Sequence, residues 1–281
     1  AHQGQVSKAM EIALAAKKAG AQGIKFQFFR SEKLVAPEDP KRAVFDQIEL
    51  SHTDWDQVLS YANSLGLPVF ADVFDSESLA LGKKHEVAAY KIHSTDMENP
   101  EFIRAVAASG KPVLLSTGGT WLGTIESAIK AVRAESNEEI MLLYGVQNFP
   151  THVVDSNLRF IQTLKSSFEL PVGFLDHVAG GSMMAVVLPA LAVAFGADLV
   201  EKHLTVERSA KGFDYESSLE QESFERMVHI VRDAESAFGS SEQAVSEASE
   251  RYHLSMRRAV LNSVALEQGI PIGKDQITFV R

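Results

Sequence analysis

From residue 5 to residue 202 the chain alternates short apolar runs with longer amphipathic stretches, and that alternation admits few folds. Helical patterns at 5–19, 53–64, 76–84, 100–108, 124–134, 156–166 and 182–195 are interleaved with strand patterns at 22–28, 68–73, 87–92, 112–116, 140–144, 171–175 and 197–202. Gly20 and Gly66 stop the first two helices, and Ser51 or Thr53 is placed to cap the second. Most strand runs are apolar throughout, as suits strands covered on both faces, so the pattern predicts βα units around a parallel sheet. The expected architecture is α/β, a (β/α)8 TIM barrel. About seven strands are visible where eight are needed, and the expectation is that the first lies upstream of Ala1.

The expected barrel domain covers residues 1–250. After the last strand it carries a helix with apolar Phe224, Met227, Val228, Ile230 and Val231, then a Ser/Glu-rich stretch from Glu235 to Glu250. Residues 251–281 are expected to hold a linker and a short β appendage, since the tail alternates apolar and polar residues around Gly269 and Gly273.

Charge and composition exclude several function classes. A net charge of -10 leaves no basic excess to neutralise a nucleic-acid backbone. With no cysteine, there is no disulfide, no thiolate metal site and no cysteine nucleophile; the composition suits the cytoplasm, and any metal must be held by His, Asp or Glu. The most apolar run, Met183 to Phe195, is broken by Pro189 and too short to span a bilayer, so it reads as a buried helix and no membrane partner is expected.

In a barrel of this kind the reacting groups sit at the C-terminal ends of the strands. The last strand run ends abruptly in Glu201-Lys202-His203. Earlier strand ends add Lys25 and Gln27, then Asp72 and Asp75, then Lys91, His93, Ser94 and Asp96, then Ser116 and Thr117. Tyr144, Gln147 and Asn148 follow, then Asp176 and His177. Lys25, Lys91 and Lys202 on one rim suggest an anionic ligand, a phosphate or carboxylate, because buried ammonium groups need a counter-charge. Ser116, Thr117 and Gly118-Gly119 add donors of the kind that cradle phosphate. Taken singly, each lysine could instead pair with a nearby carboxylate. His177 and His203 end adjacent strands and could hold one divalent cation with open positions, or could each simply hydrogen-bond in the rim. A Schiff-base aldolase using Lys91 or Lys202 is a second reading, and a non-catalytic sugar-phosphate binding protein is a third.

The motifs Lys25-Phe26-Gln27, Phe74-Asp75-Ser76-Glu77-Ser78, Lys91-Ile92-His93-Ser94, Gly110-Lys111-Pro112-Val113, Ser116-Thr117-Gly118, Asn157-Leu158, Asp176-His177 and Glu201-Lys202-His203 occur in that order. Lys211-Gly212-Phe213-Asp214-Tyr215, Ser217-Ser218-Leu219-Glu220 and Arg257-Arg258 follow. Together they resemble the sialic acid (N-acetylneuraminate) synthase family, which condenses phosphoenolpyruvate with an N-acetylated amino sugar in a (β/α)8 barrel. The resemblance implies Lys25, Lys91, Ser94 and Ser116 as phosphoenolpyruvate contacts and Gln27, Gln147 and Asn148 as further substrate contacts. It implies Asp96 near the reacting carbonyl, Asp214 against the sugar, Lys91 and His203 in the catalytic set, and His177 and His203 as ligands of Mn²⁺ or Mg²⁺. It also implies a homodimer and a C-terminal antifreeze-like (SAF) domain, begun within 251–281, whose arginine, here Arg258, serves the partner's site. The chain departs from the family pattern in having Tyr144-Gly145 for His-Cys, Gln147 for Asn or Ser, Phe149 for Tyr, Leu175 for Ser and Val178 for a frequent Thr.

Overall fold

The computed structural model describes residues 2–135 and 139–280; Arg281, the end of the expected β appendage, lies outside them. In chain order the elements are α1 (Val6–Lys18), β1 (Ile24–Phe28), α2 (Ser31–Leu34), α3 (Arg42–Ile48), α4 (His52–Ser64), β2 (Val69–Val73), α5 (Ser76–Lys84) and β3 (Ala89–Ile92). There follow α6 (Pro100–Ala107), β4 (Val113–Ser116), α7 (Leu122–Glu135), β5 (Ile140–Tyr144), α8 (Phe160–Phe168), β6 (Val172–Asp176), α9 (Met184–Ala194), β7 (Leu199–Lys202) and α10 (Gln221–Phe238). These lie in one compact unit, Ala1–Phe238; a second, Gly239–Arg281, holds α11 (Glu247–Met256) and an antiparallel hairpin of β8 (Ala259–Asn262) and β9 (Ile277–Val280).

All seven strands of the first unit are parallel and pair in sequence order, β1 through β7. At about 4.8 Å between neighbours, a flat sheet would hold its edge strands roughly 29 Å apart. Yet Lys25 on β1 lies 3.3 Å from Glu201 on β7, so the sheet must curl until its edges face one another. Among the described residues those edges are not paired through backbone, and the observed form is a curled seven-stranded sheet rather than a closed eight-stranded barrel.

Alternation along each strand sorts the side chains into two layers. Phe26 and Phe28 point outward and pack on Trp55 of α4, at ring separations of 5.5 Å and 4.8 Å. Lys25 and Gln27 therefore point inward, as do their register partners Phe70 and Asp72, and then Lys91, Leu114 and Met141 in turn. On the far side Leu175 pairs with Glu201 on the inner face, and Asp176 with Lys202 on the outer.

The helices form for local reasons. Trp55, Val58, Leu59 and Ala62 fall on one helical stripe and are buried, and Ser51 closes a capping box with Asp54 at the start of that helix. No helix among the described residues is long and apolar enough to cross a membrane; α9, the most apolar, is mostly buried.

One helix differs from expectation. The stretch read as a helix over 156–166 is a 3-10 turn, Val153–Ser156, followed by α8, because Asn157 takes a left-handed conformation at φ 38° that stops the first turn.

Candidate active site

Four charged side chains form a closed ring on the inner face, Asp72, Lys91 and Glu201 from the second halves of β2, β3 and β7 and Lys25 from the start of β1. Lys91 Nζ lies 3.1 Å from Glu201 Oε1 and 3.4 Å from Asp72 Oδ2, and Lys25 Nζ lies 3.3 Å and 3.4 Å from the same two oxygens. Asp72 is wholly buried and Lys91 nearly so. Burial alone would raise the Glu201 carboxyl and lower the Lys25 ammonium, but their mutual attraction overrides it. Glu201 is held down at about 2 by Lys25 and Lys91, and Lys25 is pushed above the usual lysine range by Glu201 and Asp72.

The histidine pair stands beyond this ring at the strand ends. The rings of His177 and His203 are 5.2 Å apart. Nδ1 of His177 lies 2.8 Å from the Val146 carbonyl oxygen, so it is the protonated nitrogen and Nε2 keeps a free lone pair. Burial lowers His177 to about 4 and, helped by the neighbouring His177, holds His203 well below the usual histidine value. Both are neutral at pH 7, and one already has the backbone partner typical of a metal-ligating imidazole. Asp214, at φ 57°, brings Oδ2 to 3.8 Å from His203 Nδ1, and burial raises its carboxyl pKa. Among the described residues no group of three or more His, Asp or Glu side chains is placed to hold a metal ion. Phe149 packs against the pair, with its ring 4.1 Å from that of His177.

Ser116, fully buried at the end of β4, is reached by Gln147 Nε2 at 3.5 Å. Thr117 is occupied elsewhere, its hydroxyl and N–H both directed to the Leu143 carbonyl. Ser94 and Asp96 lie on a 3-10 turn after β3, where burial raises the Asp96 carboxyl and Thr95 Oγ1 donates to it at 3.3 Å. Gln27 is exposed on the inner face above Lys25, and Asn148 is exposed on the loop after β5. Arg258 belongs to the second unit, immediately before β8, and is exposed.

Two sequence expectations are corrected. Lys202 is not part of the anion rim: it points to the outer face, where Nζ is 2.9 Å from both Asp176 Oδ2 and the Val178 carbonyl, with both side chains sealed from solvent. The same burial removes it as a Schiff-base nucleophile. Tyr144 also faces outward, packed against Phe160 and donating its hydroxyl to the Ser156 carbonyl at 3.2 Å, so its departure from the family pattern does not reach the site. Leu175 does face inward, beside Glu201.

Gly145 is fixed by space. A Cβ there would collide with the Leu175 carbonyl oxygen, so Gly145→Ala is expected to cost about 1–3 kcal/mol, read as a lower urea midpoint at unchanged m.

The opposite, N-terminal end of the strands opens on a cavity of about 810 Å³ lined by Phe70, Val113, Leu114, Ile140, Met141 and Leu199 among others. Its wall is mostly apolar, with Arg133 and Glu139 its charged members, and the histidine pair lies at the other end of the strands.

The chain is similar to several known proteins. The NeuB family model matches residues 12–243. An uncharacterised protein of Methanocaldococcus jannaschii is 32% identical over 280 residues, covering 100% of this chain and 82% of its own length. The N,N'-diacetyllegionaminic acid synthase of Legionella pneumophila is 31% identical over 298 residues, with coverages of 100% and 82%. Among solved structures, the N-acetylneuraminic acid synthetase of Leptospira borgpetersenii, in complex with citrate, superposes with a TM-score of 0.82 at 30% identity, covering 91% of this chain and 88% of that one.

Proposed function

Since the chain belongs to the NeuB family, we propose that it joins phosphoenolpyruvate to the open-chain aldehyde of an N-acetylated amino sugar, N-acetylmannosamine or a deoxy relative. The products are a nine-carbon 2-keto acid and phosphate. We read the curled sheet as part of a (β/α)8 barrel. The observation that best supports the reading is the convergence of Lys25 and Lys91 on one point beside two neutral imidazoles.

In this mechanism Lys25 and Lys91 attract the anionic groups of phosphoenolpyruvate, and Ser94 and Ser116 donate hydroxyl hydrogens to them. Gln27, Gln147, Asn148 and Asp214 meet the sugar. His177 and His203 would hold the divalent cation, Mn²⁺ or Mg²⁺, since both are neutral and Nε2 of His177 is free. Such an ion supplies Lewis acidity toward a carbonyl oxygen when bound.

As carbon three of phosphoenolpyruvate bonds to the aldehyde carbon, positive charge grows at carbon two and water adds there. Asp96, whose carboxyl is made more basic by burial, takes one proton of that water and returns it to the alkoxide oxygen that the aldehyde has become. The bond between carbon two and the bridging oxygen then breaks as the remaining hydroxyl closes to the keto group and its proton passes to the departing phosphate, which Lys25 and Lys91 stabilise.

Phosphate release that requires both phosphoenolpyruvate and an amino sugar is the test; no release with any amino sugar would favour a binding protein instead. For the histidines, His203→Ala is expected to abolish stoichiometric Mn²⁺ binding measured by calorimetry. Unchanged stoichiometry would remove the pair from the metal site.

A further inference from the structure

The lysines read as the anion site are already neutralised. The ring holds two ammonium groups, Lys25 and Lys91, and two carboxylates, Asp72 and Glu201, for a net charge of zero. Glu201 lies toward the rim, but Asp72 has no exposed surface, and only its Oδ2 is used. Its Oδ1 is buried with no hydrogen-bond partner, a loss of solvation that native interiors rarely leave uncompensated. A doubly charged phosphate entering here would bring two negative charges against a fixed one, at sites where solvent screening is weak. A phosphate that retains one proton brings a single charge and also a P–OH donor, which is what Oδ1 lacks.

We propose that Asp72 selects the protonation state of the anion, admitting a singly charged phosphoester whose P–OH donates to Asp72 Oδ1 and opposing the dianion. This deepens the reading of Lys25 and Lys91 as the phosphate site and rests on it. The charged and titratable groups facing Asp72 are Lys25 from β1, Lys91 and His93 from β3 and its end, Asp96 beyond them, and Glu201 from β7. The phosphoester's own second ionisation, near pH 6, sets the window in which the preference is read.

The test is calorimetric titration with phosphoenolpyruvate at pH 5.5 and pH 7.5, for the wild type, Asp72→Asn and Asp72→Ser. The wild type is expected to bind more than tenfold tighter at pH 5.5. Asp72→Asn should bind at least tenfold tighter than wild type at pH 7.5 and lose most of the pH preference. If the amide variant folds poorly because its NH2 group is set against two ammonium groups, the smaller serine variant, whose hydroxyl oxygen accepts, carries the measurement, and its melting temperature should rise steeply with added phosphoenolpyruvate. Equal affinities in all three proteins at both pH values would overturn the role of Asp72 while leaving the anion site standing. No binding by any of them at either pH would overturn both.

Discussion

Lys91→Met should weaken phosphoenolpyruvate binding by about 2 kcal/mol or more, roughly thirtyfold, and should cut turnover by at least as much. The lysine is nearly buried and sits within 3.4 Å of two carboxylates, so its charge acts in a poorly screened place. Removing it leaves Asp72 and Glu201 sharing Lys25 alone, which also destabilises the fold.

The pH dependence gives this a second signature. Glu201 is depressed in the folded protein, so its contribution is present above its unfolded value near 4.5 and is lost as pH falls toward about 2. Without Lys91 the burial penalty opposes a weaker attraction, the folded value rises, and the smaller contribution disappears at higher pH. Acid titrations of stability should therefore diverge between variant and wild type below about pH 5. Unchanged affinity in calorimetry would place the anion elsewhere.

Lys202→Met should produce the largest loss of stability, about 3–5 kcal/mol, because it strands the Asp176 carboxylate where neither partner is exposed to solvent. The pair links the ends of β6 and β7, and Lys202 also holds the Val178 carbonyl directly after His177. Removing both charges, in Lys202→Met with Asp176→Leu, should recover much of the loss, since two apolar side chains of similar volume leave no unpaired charge. Urea melts of the single and double variants decide this. A loss below about 1 kcal/mol in the single variant would show that the pair contributes no more than a surface ion pair.

The strands could be read from the sequence because each is a short apolar run bounded by glycine, proline or charge, as Pro112 and Gly118-Gly119 flank β4. Helix ends were harder. Asn157 in a left-handed conformation stops a pattern that looks continuous, and α2 and α3 are too short and polar to show a period.

Lys202 was misplaced for a geometric reason. Adjacent strand residues face opposite sides, and a strand covered on both faces does not reveal which side is inner, so Glu201 and Lys202 looked equivalent until the register was known. Asp72 was visible as a strand-end acid, but its bond to both lysines depends on curvature and register across three strands and on β7 closing toward β1. The histidine pair was more accessible, because His177 and His203 each follow the end of an easily recognised strand.

The central claim is that this site makes a carbon–carbon bond while breaking the carbon–oxygen bond of phosphoenolpyruvate. Phosphoenolpyruvate labelled with ¹⁸O at the bridging position, incubated with the protein, N-acetylmannosamine and Mn²⁺, tests it most directly. The account predicts phosphate carrying the label, formed only when both substrates are present, lost on adding EDTA and restored by Mn²⁺. Label retained in the keto acid, or full turnover in EDTA, would contradict it.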